Sequence, residues 1–266
     1  FDENGYLRDD LPETYDFDDE FVIYTWQDQK AWEWVESGTL AKTSVEKVLY
    51  ERQQNVEERF GVEISLVYMP GSWDSRHTFI QTLANHVNQN DHAFDLVGQY
   101  TPAAGVGALQ GLYQDLNNLP YINLEKPWWP SLISDSATVG DKLYFCTGDI
   151  TPTLIRNVEC MFVNLDLYEA YGISTAADGR SIYDVVKDYD WTLDMMMELA
   201  IDRVDVNSGM YGLSILNDVC ADGFFYAGGF RLVENNNGVL KVSDGLSNNS
   251  LINWFDTVQD LFTARY

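Results

Sequence analysis

The chain has 266 residues, of which 45% are hydrophobic and 14% aromatic, and it carries a formal net charge of −26 at pH 7. That length builds one large domain or two modest lobes, while the charge excludes a nucleic-acid binder, which needs a basic footprint to neutralise phosphates. No run reaches the roughly 20 consecutive apolar residues of a membrane helix, and Cys146, Cys160 and Cys220 show no metal-ligand spacing, so no metal or cofactor is expected, although one disulfide could form.

Residues 1–20 are acid-rich and poor in apolar side chains, which predicts a flexible tail; Phe1-Asp-Glu-Asn-Gly5 does not read as a secretory leader. Phe21 to Trp26 is rich in β-formers. Thr43 to Phe60 reads as a helix, because Thr43-Ser-Val-Glu46 has the form of a capping box and Val45, Val48, Leu49, Val56 and Phe60 mostly keep helical spacing. Gly61 is placed to end it. Val62, Ile64, Leu66 and Tyr68 alternate as a strand does. Asp74 to Asn90 predicts a second helix, with Phe79, Ile80, Leu83 and Val87 on one side, and Phe94 to Gly98 a third strand.

Strand–helix–strand–helix–strand implies a parallel sheet with right-handed crossovers. Such sheets bind ligands outside the carboxyl ends of their strands. Three loops fall on that edge: Trp26-Gln-Asp28, Met69-Pro-Gly-Ser-Trp73 and Gln99-Tyr-Thr101. Each pairs an aromatic ring with a polar group, a combination that suits a pocket with apolar walls and a few orienting contacts. A sugar fits this chemistry: its C–H faces pack on rings and its hydroxyls take hydrogen bonds. Trp26, Trp73 and Tyr100 are therefore expected to stack on a ligand, and Asp28 and Thr101 to hydrogen-bond it.

Residues 111–144 lack periodicity and are punctuated by Pro120, Pro127 and Pro130. Trp128 and Trp129 are adjacent and point different ways, so packing is expected of them rather than a ligand platform. Beyond lie a strand at Met161–Asn164, a helix at Leu165–Tyr171 stopped by Gly172, and a helix at Trp191–Ala200 with Thr192 as N-cap. Leu193, Met196, Met197 and Ala200 share one face of that helix. A strand at Met210–Ile215 and helices at Val219–Ala227 and Leu251–Thr263 follow.

Rival motifs are weak. Gly105-Val-Gly-Ala-Leu-Gln-Gly111 has its third glycine one place too late for a dinucleotide loop and follows the third strand rather than the first. His77, His86 and His92 lack the spacing of a metal pair. Asp202 to Gly209 is too short for a calcium loop and has no closing Glu. With 42 acidic residues, a glycosidase-like carboxylate pair arises by chance. No GxSxG elbow occurs, and the chain is not expected to be an enzyme.

The segment Asp115-Leu-Asn-Asn-Leu-Pro-Tyr-Ile-Asn-Leu-Glu-Lys-Pro-Trp-Trp129, with Asp141-Lys-Leu-Tyr-Phe-Cys-Thr-Gly-Asp149 after it, resembles a stretch of the bacterial extracellular solute-binding proteins of ABC importers. Tyr50 to Phe60, Phe94-Asp-Leu-Val97, Phe162-Val-Asn164, Glu169-Ala-Tyr-Gly-Ile173, Trp191-Thr-Leu-Asp194, Tyr211-Gly-Leu213 and Ala227-Gly-Gly229 fall in that family's order. The resemblance implies a type II periplasmic-binding-protein-like fold, with two α/β lobes closing on a cleft by a hinge. Lobe 1 would span 21–147 and lobe 2 148–266, the latter incomplete because family members run longer. Arg156, Asn157 and Tyr226 would approach the ligand from lobe 2. The implied protein is a monomeric cell-surface lipoprotein, anchored outside the cell by a lipid-modified cysteine upstream of Phe1. It captures a small solute, a carbohydrate first of all, for ABC permease subunits and binds no nucleic acid. The alternatives are a degenerate relative acting as sensor or surface scaffold, and a glycoside hydrolase.

Overall fold

Three parallel strands organise the first part of the chain, in a computed structural model that describes residues 1, 5–17, 19–35, 41–172, 179–201, 205, 207–215, 217–236 and 238–263. Strand β1 (Asp19–Trp26) is central in the order β2-β1-β3. It pairs with β2 (Val62–Met69) from Asp19↔Val62 to Trp26↔Met69, and with β3 (Leu96–Gly98) from Ile23↔Leu96 to Thr25↔Gly98. The middle position goes to the segment that buries Ile23, Tyr24 and Thr25 in succession, as a strand covered on both faces must. The chain is therefore mixed α/β with a parallel sheet. Its contacts divide it into two compact units, Phe1–Val158 with Asn237–Val239, and Glu159–Asn236 with Leu240–Tyr266. The first unit reaches past the expected boundary at 147 and includes Arg156 and Asn157.

A one-turn helix α1 (Lys30–Glu33) follows β1. Helix α2 (Ser44–Phe60) starts as its sequence requires: the Thr43 hydroxyl accepts the Glu46 N–H at 3.1 Å, and the Glu46 carboxylate accepts the Thr43 N–H at 2.9 Å. It ends at Gly61, whose φ of +60° is left-handed. A side chain at Gly61 would also stand 2.5 Å from the Asp16 carboxylate.

Helix α3 (Arg76–Gln89) brings Phe79, Ile80 and Leu83 onto Tyr24, and α4 (Thr101–Leu109) adds Ala103 to complete the cluster. The Tyr24 and Phe79 ring centroids lie 4.3 Å apart. Val87, expected in the same stripe, is exposed. β3 forms later than Phe94: that ring stacks on Tyr24 at 4.6 Å, and Asp95 exchanges hydrogen bonds with Val22 through its N–H and its carboxylate.

The opening segment is not a free tail over residues 8–17. Arg59 grips Asp9 at 2.7 and 2.9 Å and also donates to the Pro12 carbonyl. Lys126 reaches Asp10 at 2.7 Å. The Tyr15 and Phe17 N–H groups donate to the Arg59 and Phe60 carbonyls, both at 3.0 Å. The acids that suggest a solvated tail are the anchors of a strap.

Residues 111–149 close on themselves. Asp115 accepts the Asn117 and Leu143 N–H groups, and the Leu116 N–H donates to the Leu143 carbonyl at 2.7 Å. Leu143 is buried, whereas Leu143–Thr147 forms no helix or strand. The Asp149 N–H donates to the Trp128 carbonyl at 3.1 Å. Gly148 lacks a Cβ where one would strike that carbonyl and lie 3.0 Å from Cε3 of Trp129. The two half-buried tryptophans thus do pack. Short helices α5 (Ser131–Ala137) and α6 (Pro152–Arg156) complete the unit.

The second unit holds α7 (Leu165–Ala170), α8 (Ile182–Lys187), α9 (Leu193–Ile201), α10 (Asn217–Ala227), the hairpin β4 (Val233–Asn236) with β5 (Val239–Val242) apart from Val239, and α11 (Asn249–Thr263). Asn164 caps α7, Gly172 takes a φ of +56°, and the Thr192 hydroxyl accepts the Met195 N–H. Met196 and Ala200 are buried on the expected face of α9. The strands expected at Met161–Asn164 and Met210–Ile215 do not form. Phe162 is 94% exposed, and Met210 makes one isolated bridge with Asp205. The calcium-loop positions 202–204 and 206 lie outside the described residues.

Candidate functional site

The order β2-β1-β3 sends the loops after β1 and β3 to opposite sides, and the crevice between two such strand ends is where open α/β sheets take ligands. Trp26 and Tyr100 occupy it. Their rings stack on each other, 5.5 Å between centroids and 16° between planes. Trp26 is fixed twice more. Its Nε1–H donates to the buried Glu33 carboxylate at 3.0 Å, and its Cβ lies where a side chain at Gly71 would come within 2.7 Å. Glycine at 71 is what admits the indole.

Asp28 ties the first loop to the second. Its Oδ2 accepts the N–H groups of Gly71 at 2.8 Å and Ser72 at 3.1 Å. One carboxylate oxygen thus orders the turn that presents Trp73, which is 58% exposed. The guanidinium of Arg76 lies 3.7 Å from the Trp73 ring centroid and also donates to the Trp73 carbonyl.

Tyr100 precedes α4 as its N-cap, and its carbonyl takes the Ala103 and Ala104 N–H groups at 2.9 and 3.2 Å. Thr101 is exposed in the first turn. Behind Tyr100, Gln99 Nε2 donates to the Tyr113 hydroxyl at 2.5 Å. Burial pushes the Tyr113 phenol up from its ordinary pKa, and the bond from Gln99 offsets part of the rise. Thr25 Oγ1 and Gln99 Oε1 are buried without a hydrogen-bond partner.

Arg156 closes the same edge from α6. It is exposed, its guanidinium lies 4.0 Å from the Trp32 ring centroid, and Nη1 is 3.4 Å from Gln29 Oε1, one residue from Asp28. Arg52 braces this arrangement from α2, donating to the carbonyls of Glu33 at 2.5 Å and Ile150 at 2.9 Å. Burial lowers the Arg52 pKa and the Glu33 charge opposes that shift. Asn157 caps α6 and is exposed. Tyr226 belongs to the second unit, where it is exposed and edge-on to Phe225 at 5.3 Å.

Of the anticipated residues, Trp26, Asp28, Trp73, Tyr100, Thr101 and Arg156 gather around one sheet edge of the first unit. Gln29, Trp32, Glu33, Gly71 and Arg76 join them unanticipated. Arg76 had a local signal, three residues after Trp73 at a helix start, whereas the meeting of Arg156 with Gln29 spans 127 positions and had none. Cys146 and Cys160 are free thiols. Burial raises the Cys146 pKa. Among the described residues no cluster of three His, Cys, Asp or Glu could hold a metal ion, and no helix is long and apolar enough to cross a membrane. Comparison of the chain with family models, with curated proteins and with solved structures gives no match.

Proposed function

We propose that the protein is the extracellular solute-binding component of an ABC importer, taking a small solute, a carbohydrate first of all, for delivery to membrane permease subunits. In this reading the fold is of the type II periplasmic-binding kind. The ligand lies against the carboxyl edge of the first-unit sheet, and a lipid-modified cysteine ahead of Phe1 anchors the protein to the cell surface. The observation that carries the reading is the stack of Trp26 on Tyr100 at the β1/β3 crevice, beside the turn, tied down by Asp28, that presents the exposed Trp73, with Thr101 and Arg156 at the same sheet edge. Rings fixed by packing and hydrogen bonds present apolar faces at little entropic cost. The order and spacing of the motifs from Tyr50 to Gly229 support it independently.

A thermal-shift screen against mono- and oligosaccharides tests it. A ligand at a hundred times its dissociation constant adds about 2.7 kcal/mol, a rise of several degrees at roughly 2–4 °C per kcal/mol. Trp73→Ala is expected to weaken the binding so found by more than tenfold, measured by calorimetry. An unchanged constant removes Trp73 from the site. A cooperatively folded chain that answers no saccharide favours the second reading, a relative serving as sensor or surface scaffold. That reading draws on the second unit, whose described strands form a single two-stranded hairpin.

A further inference from the structure

The geometry points to an acidic saccharide as the solute: a sugar bearing a carboxylate, held by the guanidinium groups of Arg76 and Arg156. This inference rests on the solute-binding reading and narrows it. Its starting point is the state of these two arginines in an acidic chain. With 42 carboxylates against 16 lysines and arginines, a surface cation has acids in abundance to pair with. Lys47, Arg59, Lys126, Arg180 and Lys241 do so. Arg76 and Arg156 are among the described cations that pair with no carboxylate, and their place in the fold sets them apart from the others. Each lies instead over a tryptophan, Trp73 at 3.7 Å and Trp32 at 4.0 Å, on the sheet edge that gathers the candidate site.

A guanidinium over an indole face is attracted by the ring and held in place. Its N–H groups point outward around the rim. Arg76 spends one nitrogen on the Trp73 carbonyl, and Arg156 one on Gln29. The rest of each fork matches the two oxygens of a carboxylate. The indole face that carries the guanidinium is closed to a sugar ring from that side. Trp73 and Trp32 then act as supports for cationic forks, while Trp26 and Tyr100 provide the apolar wall.

The net charge of −26 does not argue against this. Charges beyond a Debye length, about 8 Å at physiological salt, are largely screened, whereas a bidentate contact acts at hydrogen-bonding distance. Distant acids slow encounter and the local pair governs release.

The test is calorimetric titration of the whole chain with trimers of galacturonate, glucuronate and mannuronate, each beside its methyl ester, which keeps the sugar and removes the charge. At least one acid is expected to bind ten times more tightly than its ester. Arg76→Gln and Arg156→Gln are each expected to cost about tenfold in acid affinity and less than twofold in ester affinity. Arg76→Lys keeps the charge without the fork and is expected to recover part of the loss. Melting curves verify that each variant is folded. Esters binding as well as acids overturn the inference and leave the solute-binding reading standing. An acid preference that survives both glutamine variants overturns it too. Silence from acids and esters alike, with a hit among other neutral sugars, overturns the inference alone. Silence from every saccharide overturns both.

Discussion

Gly107 lies in the interior of α4, where alanine ordinarily stabilises a helix by about 0.8–1 kcal/mol over glycine. Gly107→Ala is expected to do the opposite here. A Cβ at 107 would collide with the Tyr113 hydroxyl and lie 2.7 Å from Cε2 of the same ring. The ring cannot swing away without loss, because its hydroxyl accepts the Gln99 side chain at 2.5 Å and burial holds the phenol in place. Overpacking of this kind costs about 1–3 kcal/mol, and losing the Gln99 bond about 1 kcal/mol more. Set against the helix gain, the net is a destabilisation of roughly 1–3 kcal/mol, or about 2–12 °C in melting temperature at 2–4 °C per kcal/mol. Differential scanning calorimetry of wild type, Gly107→Ala, Tyr113→Ala and the double variant separates the causes. In the Tyr113→Ala background the same alanine is expected to become stabilising, since the collision is gone. Under the proposed function the penalty bears on the site, because Gln99 precedes Tyr100, whose ring stacks on Trp26. A wild-type background in which Gly107→Ala raises the melting temperature, or an equal penalty in both backgrounds, refutes the packing account.

Gly148→Ala is expected to be among the most damaging single-methyl changes in the first unit. The new Cβ meets the Trp128 backbone carbonyl, which cannot rotate aside, and the Asp149 N–H bond to that carbonyl is lost with it. Loss of tryptophan fluorescence change on folding, or a melting temperature several degrees lower, checks this, and a neutral result would mean that 111–149 is not a closed block. For the strap, Asp9→Asn removes the partner of Arg59 and is expected to cost up to about 1 kcal/mol at neutral pH, as partly exposed ion pairs do. The Arg59 hydrogen bond holds the Asp9 carboxyl below its ordinary 3.8. Its stabilisation is therefore full above about pH 4 and disappears as pH falls through the depressed value. The melting temperatures of wild type and variant should converge at low pH, and a constant gap down to pH 2 would refute the assignment.

At α2 the sequence is legible because cause and effect lie within one turn of chain. Thr43 and Glu46 cap α2 because each reaches the other's N–H three residues away, and Gly61 ends the helix because its φ is one that glycine tolerates. The parallel sheet is legible because strands joined through helices have to run parallel. Two kinds of feature are not. β-propensity describes fit to a pleated, half-buried neighbour rather than a backbone preference, so Met161–Asn164 read as a strand although no partner strand meets it. The hairpin β4–β5 went unread despite Asn237-Gly238 between its strands, a strong turn signal. The second kind is long-range pairing. Asp9 and Asp10 read as solvated acids because their partners, Arg59 and Lys126, are 50 and 116 residues away.

The same distinction separates the net charge of the chain from the charge at any one place on it. The total charge sums every acid, including those already engaged: Asp28 by two backbone N–H groups, Asp9 by Arg59, Asp95 by Val22. These carboxylates serve the fold, and the global excess mainly sets solubility and the rate of encounter. Under the solute-binding proposal, what a ligand would meet at the β1/β3 crevice is a local arrangement, in which Arg76 and Arg156 lie over tryptophans. Arg52 is turned inward to brace Glu33 and Ile150, so the outward guanidinium groups at this edge are Arg76 and Arg156. On the proposal of an acidic saccharide, an acidic chain presents a basic grip, and the affinity difference between a uronate and its ester measures how far local geometry outweighs net charge.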